Sequence, residues 1–152
     1  MRIRAATPAD VEAWAALRAA LWPDADPAEL RDEAAAFFAG AQLGQPLAAV
    51  LLAEIEDRSC GMIELSLRPY AEGCETSPVP YVEAWYAAAE RRDHGIGRAL
   101  IAAAEAWALA NGHIELASNA LIENTAGHGA HAALGFTEVE RSVHFRKELK
   151  PG

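Results

Sequence analysis

Residues 81–100, YVEAWYAAAERRDHGIGRAL, constrain this chain more than any other stretch. Residues 81–88 read as a strand. They run into a short basic loop carrying Gly95 and Gly97, which opens directly into a helix over 95–110 with Ile96, Leu100, Ala103 and Trp107 on one face. This order sets the unpaired N–H groups and positive dipole end of a helix beside a strand end, where a phosphate is readily received. Arg91, Arg92 and Arg98 add positive charge there. An ordinary tight turn has the same composition, and these residues alone leave both readings open.

Around this stretch the chain alternates strands and helices. Residues 1–6 form a short strand. Thr7-Pro8-Ala9-Asp10 then starts a helix, with a hydroxyl cap, proline at the first position and a carboxylate in the first turn. Val11, Trp14, Leu17 and Leu21 continue it at helical spacing, and a second helix runs from Asp26-Pro27 to Phe38. Two strands, 45–56 and 59–67, meet at Asp57-Arg58, followed by a polar loop over 70–80. Beyond the 95–110 helix come a short buried strand over 114–118, a helix over 123–134, and strands over 135–140 and 143–149. The order predicts an α/β (α+β) fold, a mixed sheet with helices on both faces, in a single domain over residues 1–152.

Charge and composition exclude several classes. Thirteen basic against 22 acidic residues give a net charge of −9, which repels phosphate backbones and disfavours nucleic acid as a partner while attracting small polycations. The longest apolar run, 47–53, is far short of the roughly 20 residues a membrane helix needs. Met1-Arg2-Ile3-Arg4 lacks the apolar region of a signal peptide, so a cytoplasmic protein is expected, with Cys60 and Cys74 as thiols. Neither cysteine has metal-binding spacing, and no metal is expected.

Two motifs carry a resemblance. Arg92, Gly95 and Gly97 in RRDHGIG, and IENTAGHGAHAALGF with Asn124 opening a helix that ends in Leu134-Gly135-Phe136, resemble the two signatures of the GCN5-related N-acetyltransferase (GNAT) superfamily, in order and at matching separation. The resemblance implies a mostly antiparallel sheet whose central strands, 81–88 and 114–118, splay to admit acetyl-CoA. It implies that backbone amides of Trp85, Tyr86 and Ala87 hold the pantetheine arm and polarise the thioester. Backbone amides of Arg92, Asp93, His94, Gly95, Ile96, Gly97 and Arg98 would wrap the pyrophosphate, and Asn124 would bond the pantetheine. The amine attacks directly, without an enzyme nucleophile.

The stretch RPYAEGCETSPVPYVEAWY, with the earlier Leu21-Trp22-Pro23, is similar to the small chromosomal aminoglycoside 6′-N-acetyltransferases. Carried over, Trp22, Tyr70 and Glu83 would face a polycationic aminoglycoside, with Glu72 and Glu75 pairing its ammoniums. For Trp22 a core position, and for Glu72 and Glu75 a solvated loop, are equally open readings. The resembling enzymes carry an Asp after the Ser that ends the second splayed strand, where it binds or deprotonates the acceptor amine; here Ser118 is followed by Asn119, which cannot take a proton. If a base is required, Glu83 acting through water is then the candidate, with a pKa raised by burial. His131 stands where many members place a general-acid Tyr, and packing over the cofactor is its alternative role. The resembling enzymes are often dimers, which implies a homodimer through residues 138–149. An acetyltransferase for another small polyamine or metabolite amine, and a catalytically silent acyl-CoA sensor, stand as alternatives because of Asn119.

Overall fold

The computed structural model describes all 152 residues and divides into two compact units, Met1–Asn119 and Ala120–Gly152. No helix is long and apolar enough to cross a membrane. The first unit is built on a five-stranded sheet in the order β1 (Arg2–Ala5), β2 (Leu47–Ile55), β3 (Arg58–Arg68), β4 (Val79–Ala87) and β5 (Ala117–Ser118). All neighbours are antiparallel except β4 and β5, which run parallel. The helices are α1 (Val11–Leu21), entered through a 3-10 turn at Pro8–Asp10, α2 (Pro27–Ala39) and α3 (Ile96–Ala110).

Side-chain alternation along the strands gives each helix its face. Val50, Leu52, Met62 and Ala84 join Trp14 and Leu17 of α1 and Ala34 of α2 in one core cluster. Trp14 is fully buried and meets Phe37 and Phe38 edge-on at 5.6 and 5.9 Å, contacts each worth about 0.5–1.5 kcal/mol beyond burial. The alternate residues face α3: Trp85 donates from Nε1 to the Gly97 carbonyl at 3.1 Å. Helices therefore cover both faces.

Local chemistry sets the helix ends. Asp26 accepts the Ala28 amide at 3.0 Å and Pro27 occupies the first turn of α2. Arg4 of β1 reaches Asp10 at 2.6 Å and Glu54 of β2 at 2.9 Å, tying the strand edge to the start of α1. The guanidinium holds the Asp10 carboxyl well below the usual carboxylate range.

One buried ion pair escaped the sequence. Glu64 of β3 is 1% exposed and accepts from Trp14 Nε1 at 2.8 Å and Arg18 Nε at 2.7 Å. Arg18 also reaches the Leu30 carbonyl at 3.0 Å and Glu33 at 2.7 Å, pinning α1 to α2. Burial pushes the Glu64 carboxyl above its ordinary value, although Arg18 and Trp14 oppose the shift.

The C-terminal expectations need correction. No strand forms over 135–140 or 143–149: α4 (Thr125–Ala133) is the last regular element. Val139, Val143, Phe145 and Leu149 do alternate, yet all are exposed, Phe145 at 92%. A strand exists only by pairing, and the ladder of the sheet includes none of these residues. The strand expected over 114–118 shrinks to Ala117–Ser118, and Ile114 is exposed rather than buried. Its neighbour Glu115 is drawn into side-chain bonds with the loop before β4.

Candidate active site

The register of β3 against β4 breaks once. Glu64 pairs with Ala84 and Leu65 with Val82, so Glu83 is the extra residue of a β-bulge. A bulge re-aims a side chain, and this one turns Glu83 toward Ser66 and Arg68. Glu83 Oε1 accepts from Ser66 Oγ at 2.7 Å and Arg68 Nε at 2.8 Å, and Oε2 accepts from Arg68 Nη2 at 2.7 Å. The Arg68 guanidinium lies 3.7 Å above the Tyr81 ring, and Tyr81 is itself buried.

This geometry corrects one expectation. Burial alone would raise the Glu83 pKa, but the Arg68 fork and the Ser66 hydroxyl outweigh it and leave the carboxyl below its ordinary value. Glu83 is an ionised hydrogen-bond acceptor and a poor base at neutral pH.

The loop before β4 is held in place by Glu115, which accepts the amides of Glu75 at 3.0 Å and Thr76 at 2.7 Å and the Thr76 hydroxyl at 2.5 Å. Those donors keep the Glu115 carboxyl below its usual range. Ser77 Oγ closes the loop onto the Pro69 carbonyl at 2.7 Å. Tyr70 stands 67% exposed, and Glu72 and Glu75 are exposed on the same loop. Trp22 packs half-buried against the α1–α2 core with the Arg18 guanidinium 5.1 Å from its ring, the core position that the sequence left open.

Beyond the bulge, β4 parts from β5. Their pairing covers only Tyr81–Ala117 and Val82–Ser118, while β4 continues to Ala87. Ala88 donates its amide to the Cys60 carbonyl of β3 at 2.7 Å. By antiparallel alternation the amides of Trp85 and Ala87 therefore point away from β3, toward the side where β5 has ended. The Tyr86 amide points toward β3, so of the three residues expected to hold the pantetheine by backbone, Tyr86 is turned the wrong way.

A 3-10 turn over Ala89–His94 leads to Gly95, whose φ of 71° lies in the left-handed region that glycine enters without strain. The first-turn amides of α3 follow, without side-chain capping at Gly95. Gly97 packs closely under Trp85: a Cβ there would stand 3.3 Å from Trp85 Cζ2, so the indole would have to give by a few tenths of an ångström. Arg92, Asp93, His94 and Arg98 are exposed around this helix end, and Arg92 Nε lies 3.4 Å from the Ala87 carbonyl. Arg91 turns instead toward Glu56 at 3.6 Å, and Ile96 is fully buried, offering only its backbone. Strand edge, glycine turn and exposed helix terminus thus lie together, with cationic side chains and first-turn amides at one end of α3.

Asn119 is exposed at the end of β5. In the second unit, Asn124 Oδ1 caps α4 by accepting the Gly127 amide at 3.0 Å. His131 Nδ1 sits 2.7 Å from the Gly127 carbonyl and its ring is 5.1 Å from that of Phe136. A carbonyl only accepts, so Nδ1 carries a proton, and the ring acts as an acid through Nε2 only when it is imidazolium. Both cysteines are free thiols, and burial pushes each above its ordinary value. No group of three or more His, Cys, Asp or Glu side chains is placed to hold a metal ion.

Two residues escaped the sequence reading. Arg68 meets Glu83 only through the β3–β4 register, and Glu115 meets the loop from about 40 residues away. A hint existed for Glu83, since a mid-strand carboxylate is rarely buried without a partner.

A splayed pair of strands feeding a glycine turn and a helix N-terminus defines a CoA-dependent acyltransferase fold, and the chain belongs to the acetyltransferase (GNAT) family, whose model matches residues 12–136. Among curated proteins it is 44% identical over 151 residues to the aminoglycoside N(6′)-acetyltransferase type 1 of Stenotrophomonas maltophilia, covering 98% of this chain and 94% of that one. The enzyme of the same description from Klebsiella aerogenes is 39% identical, covering 97% and 96%. Among solved structures, an aminoglycoside 6′-N-acetyltransferase from Acinetobacter haemolyticus superposes with a TM-score of 0.86 at 34% identity, over 99% and 100% of the two chains. A second, bound to the bisubstrate analogue CoA-S-monomethyl-acetylneamine, gives a TM-score of 0.86 at 31% identity over 97% and 98%.

Proposed function

We propose that this chain is an acetyl-CoA-dependent aminoglycoside 6′-N-acetyltransferase whose activity confers aminoglycoside resistance. The observation that carries the reading is the pairing of two opposite sites along β4: an anion-receiving helix end after Ala87 and an ionised carboxylate, Glu83, at its bulge. We read residues 1–152 as one acetyltransferase domain, since the family model, 12–136, crosses the boundary between the two units. The protein acts in the cytoplasm.

The residues present suit both substrates. Arg92, Arg98 and the first-turn amides of α3 match a pyrophosphate in charge and direction. The Ala87 and Trp85 amides point where a pantetheine arm would run, and they donate to the thioester carbonyl as it becomes an oxyanion. Acetyl-CoA supplies the activated acetyl group. Glu83 and the Tyr70 loop receive the acceptor, with Glu72 and Glu75 drawing its ammoniums and Tyr70 offering a face to a sugar ring. As the amine attacks, its N–C bond forms, the C–S bond breaks and the ammonium proton leaves to water, Glu83 being too weak a base to hold it. The departing CoA thiolate is a tolerable leaving group without a protein acid and takes its proton from solvent.

Alternating apolar residues exposed over 139–149 support a homodimer formed through this segment. The test of function is thiol release from acetyl-CoA in the presence of kanamycin, with one acetyl group on the product by mass spectrometry. Absence of release would overturn the reading. A second reading, acetylation of another small polyamine, is favoured by Asn119 and is supported if spermidine has the higher kcat/KM.

Two variants probe the halves of the site. Gly97→Leu drives a side chain into Trp85, at an overpacking cost of about 1–3 kcal/mol; the melting temperature falls and KM rises for acetyl-CoA but not for the aminoglycoside in steady-state kinetics. Asn119→Asp supplies the missing carboxylate and raises kcat at neutral pH by up to about a hundredfold, the lower end of what a positioned base contributes. An unchanged kcat shows that the amine already loses its proton to water fast enough.

A further inference from the structure

We propose that Arg68 is a positioning residue of the acceptor site: its fork and its stack on Tyr81 hold the Glu83 carboxylate in one orientation, leaving it a single open hydrogen-bonding position for the aminoglycoside. This rests on the function proposed above and gives a role to a residue to which the sequence motifs assign none.

The accounting is geometric. A carboxylate offers about four lone-pair positions. Ser66 Oγ and Arg68 Nε take two on Oε1, and Arg68 Nη2 takes one on Oε2. One position remains, on Oε2. The guanidinium plane is fixed on one side by the Tyr81 ring at 3.7 Å and along one edge by Glu83, so neither partner is free to rotate away from the other. Tyr81 is anchored in turn among Ala71, Val79 and Ala117. The bulge at Glu83 is what lets Ser66 and Arg68, two residues apart on β3, reach one carboxylate.

The charged and titratable groups facing this pair are few. Arg68 comes from β3, Tyr81 from β4, and Glu72 from the loop, where it acts on both Arg68 and Tyr81. Because Arg68 cancels the Glu83 charge, the pair attracts an ammonium or hydroxyl through the one open lone pair and its direction, not through net charge. Glu72 and Glu75, outside the pair, supply the long-range pull on a polycation. Attraction and orientation are thus assigned to different carboxylates.

The test uses the intact protein with glutamate carboxyl groups labelled with carbon-13, the Glu83 resonance being assigned by its loss in Glu83→Gln. In the wild type Glu83 titrates below free glutamate. In Arg68→Met it titrates above it, and KM for kanamycin rises roughly tenfold, the equivalent of one charge-assisted hydrogen bond, while KM for acetyl-CoA is unchanged. Arg68→Lys restores the low titration but not the acceptor KM, because an ammonium replaces the charge without the fork. Should Arg68→Met fail to fold, Arg68→Gln reads the same two quantities. An unmoved Glu83 titration together with an unmoved acceptor KM in a folded variant overturns the proposal. If the wild type acetylates no aminoglycoside, the functional reading fails, while the carbon-13 titration still decides whether Arg68 governs Glu83.

Discussion

Arg18→Met is expected to lower the unfolding free energy by about 3–5 kcal/mol, the cost of leaving a buried charge without its partner. Arg18 is the only cation bonded to Glu64, a carboxylate that is 1% exposed beneath Trp14. The loss depends on pH in a defined direction. In the folded chain Glu64 already lies above its ordinary 4.5, and without Arg18 it moves further up. Between the unfolded and folded values the native state then binds more protons than the unfolded state, so stability falls as pH rises. The variant therefore loses least near or below pH 4.5 and most at neutral pH, as urea unfolding across pH would show. Adding Glu64→Gln removes the orphan charge while keeping an acceptor for the Trp14 indole, and recovers part of the loss. A deficit of less than about 1 kcal/mol, the worth of a surface pair, would refute this account of the core.

The largest functional effect is expected at Glu83. Glu83→Ala lowers kcat/KM for an aminoglycoside on the order of a hundredfold, toward the low end of the about 2–5 kcal/mol that truncating one partner of a hydrogen-bonded charge pair costs, since this pair is only partly buried. Two effects combine: the acceptor loses its oriented carboxylate, and Arg68 is left as an unpaired cation facing a polycation. KM for acetyl-CoA stays unchanged, because the helix terminus at Gly95 and the Ala87 edge do not involve Glu83. Steady-state kinetics with each substrate varied in turn separates the two. An unaltered aminoglycoside KM would remove Glu83 from the acceptor site.

The parts legible from sequence were those governed by local chemistry. The strand, glycine turn and helix over 81–100 rest on neighbouring residues, and the fold reproduces them within a residue or two. Helix α2 was equally readable, because Asp26-Pro27 caps it locally. What escaped depends on register. Arg68 and Glu83 are 15 residues apart, and only the β3–β4 pairing with its bulge shows that they form one unit. The same register reverses the expected role of Glu83, since a carboxylate in apolar surroundings and a carboxylate clasped by guanidinium shift in opposite directions. The C-terminal strands failed for a related reason. The alternation at Val139, Val143, Phe145 and Leu149 is genuine, but alternation states only that a segment suits a sheet, not that the chain provides a neighbour for it.

The central claim is that Glu83 and its loop present the 6′-amine of an aminoglycoside to a thioester held along β4. Neomycin and paromomycin test it most directly, because they differ only in carrying an amine or a hydroxyl at the 6′ position. Thiol release from acetyl-CoA is measured with each at saturating concentration. Turnover of neomycin with none of paromomycin is the predicted result. Equal turnover of both would contradict it, because the acetyl group would then be going elsewhere on the molecule.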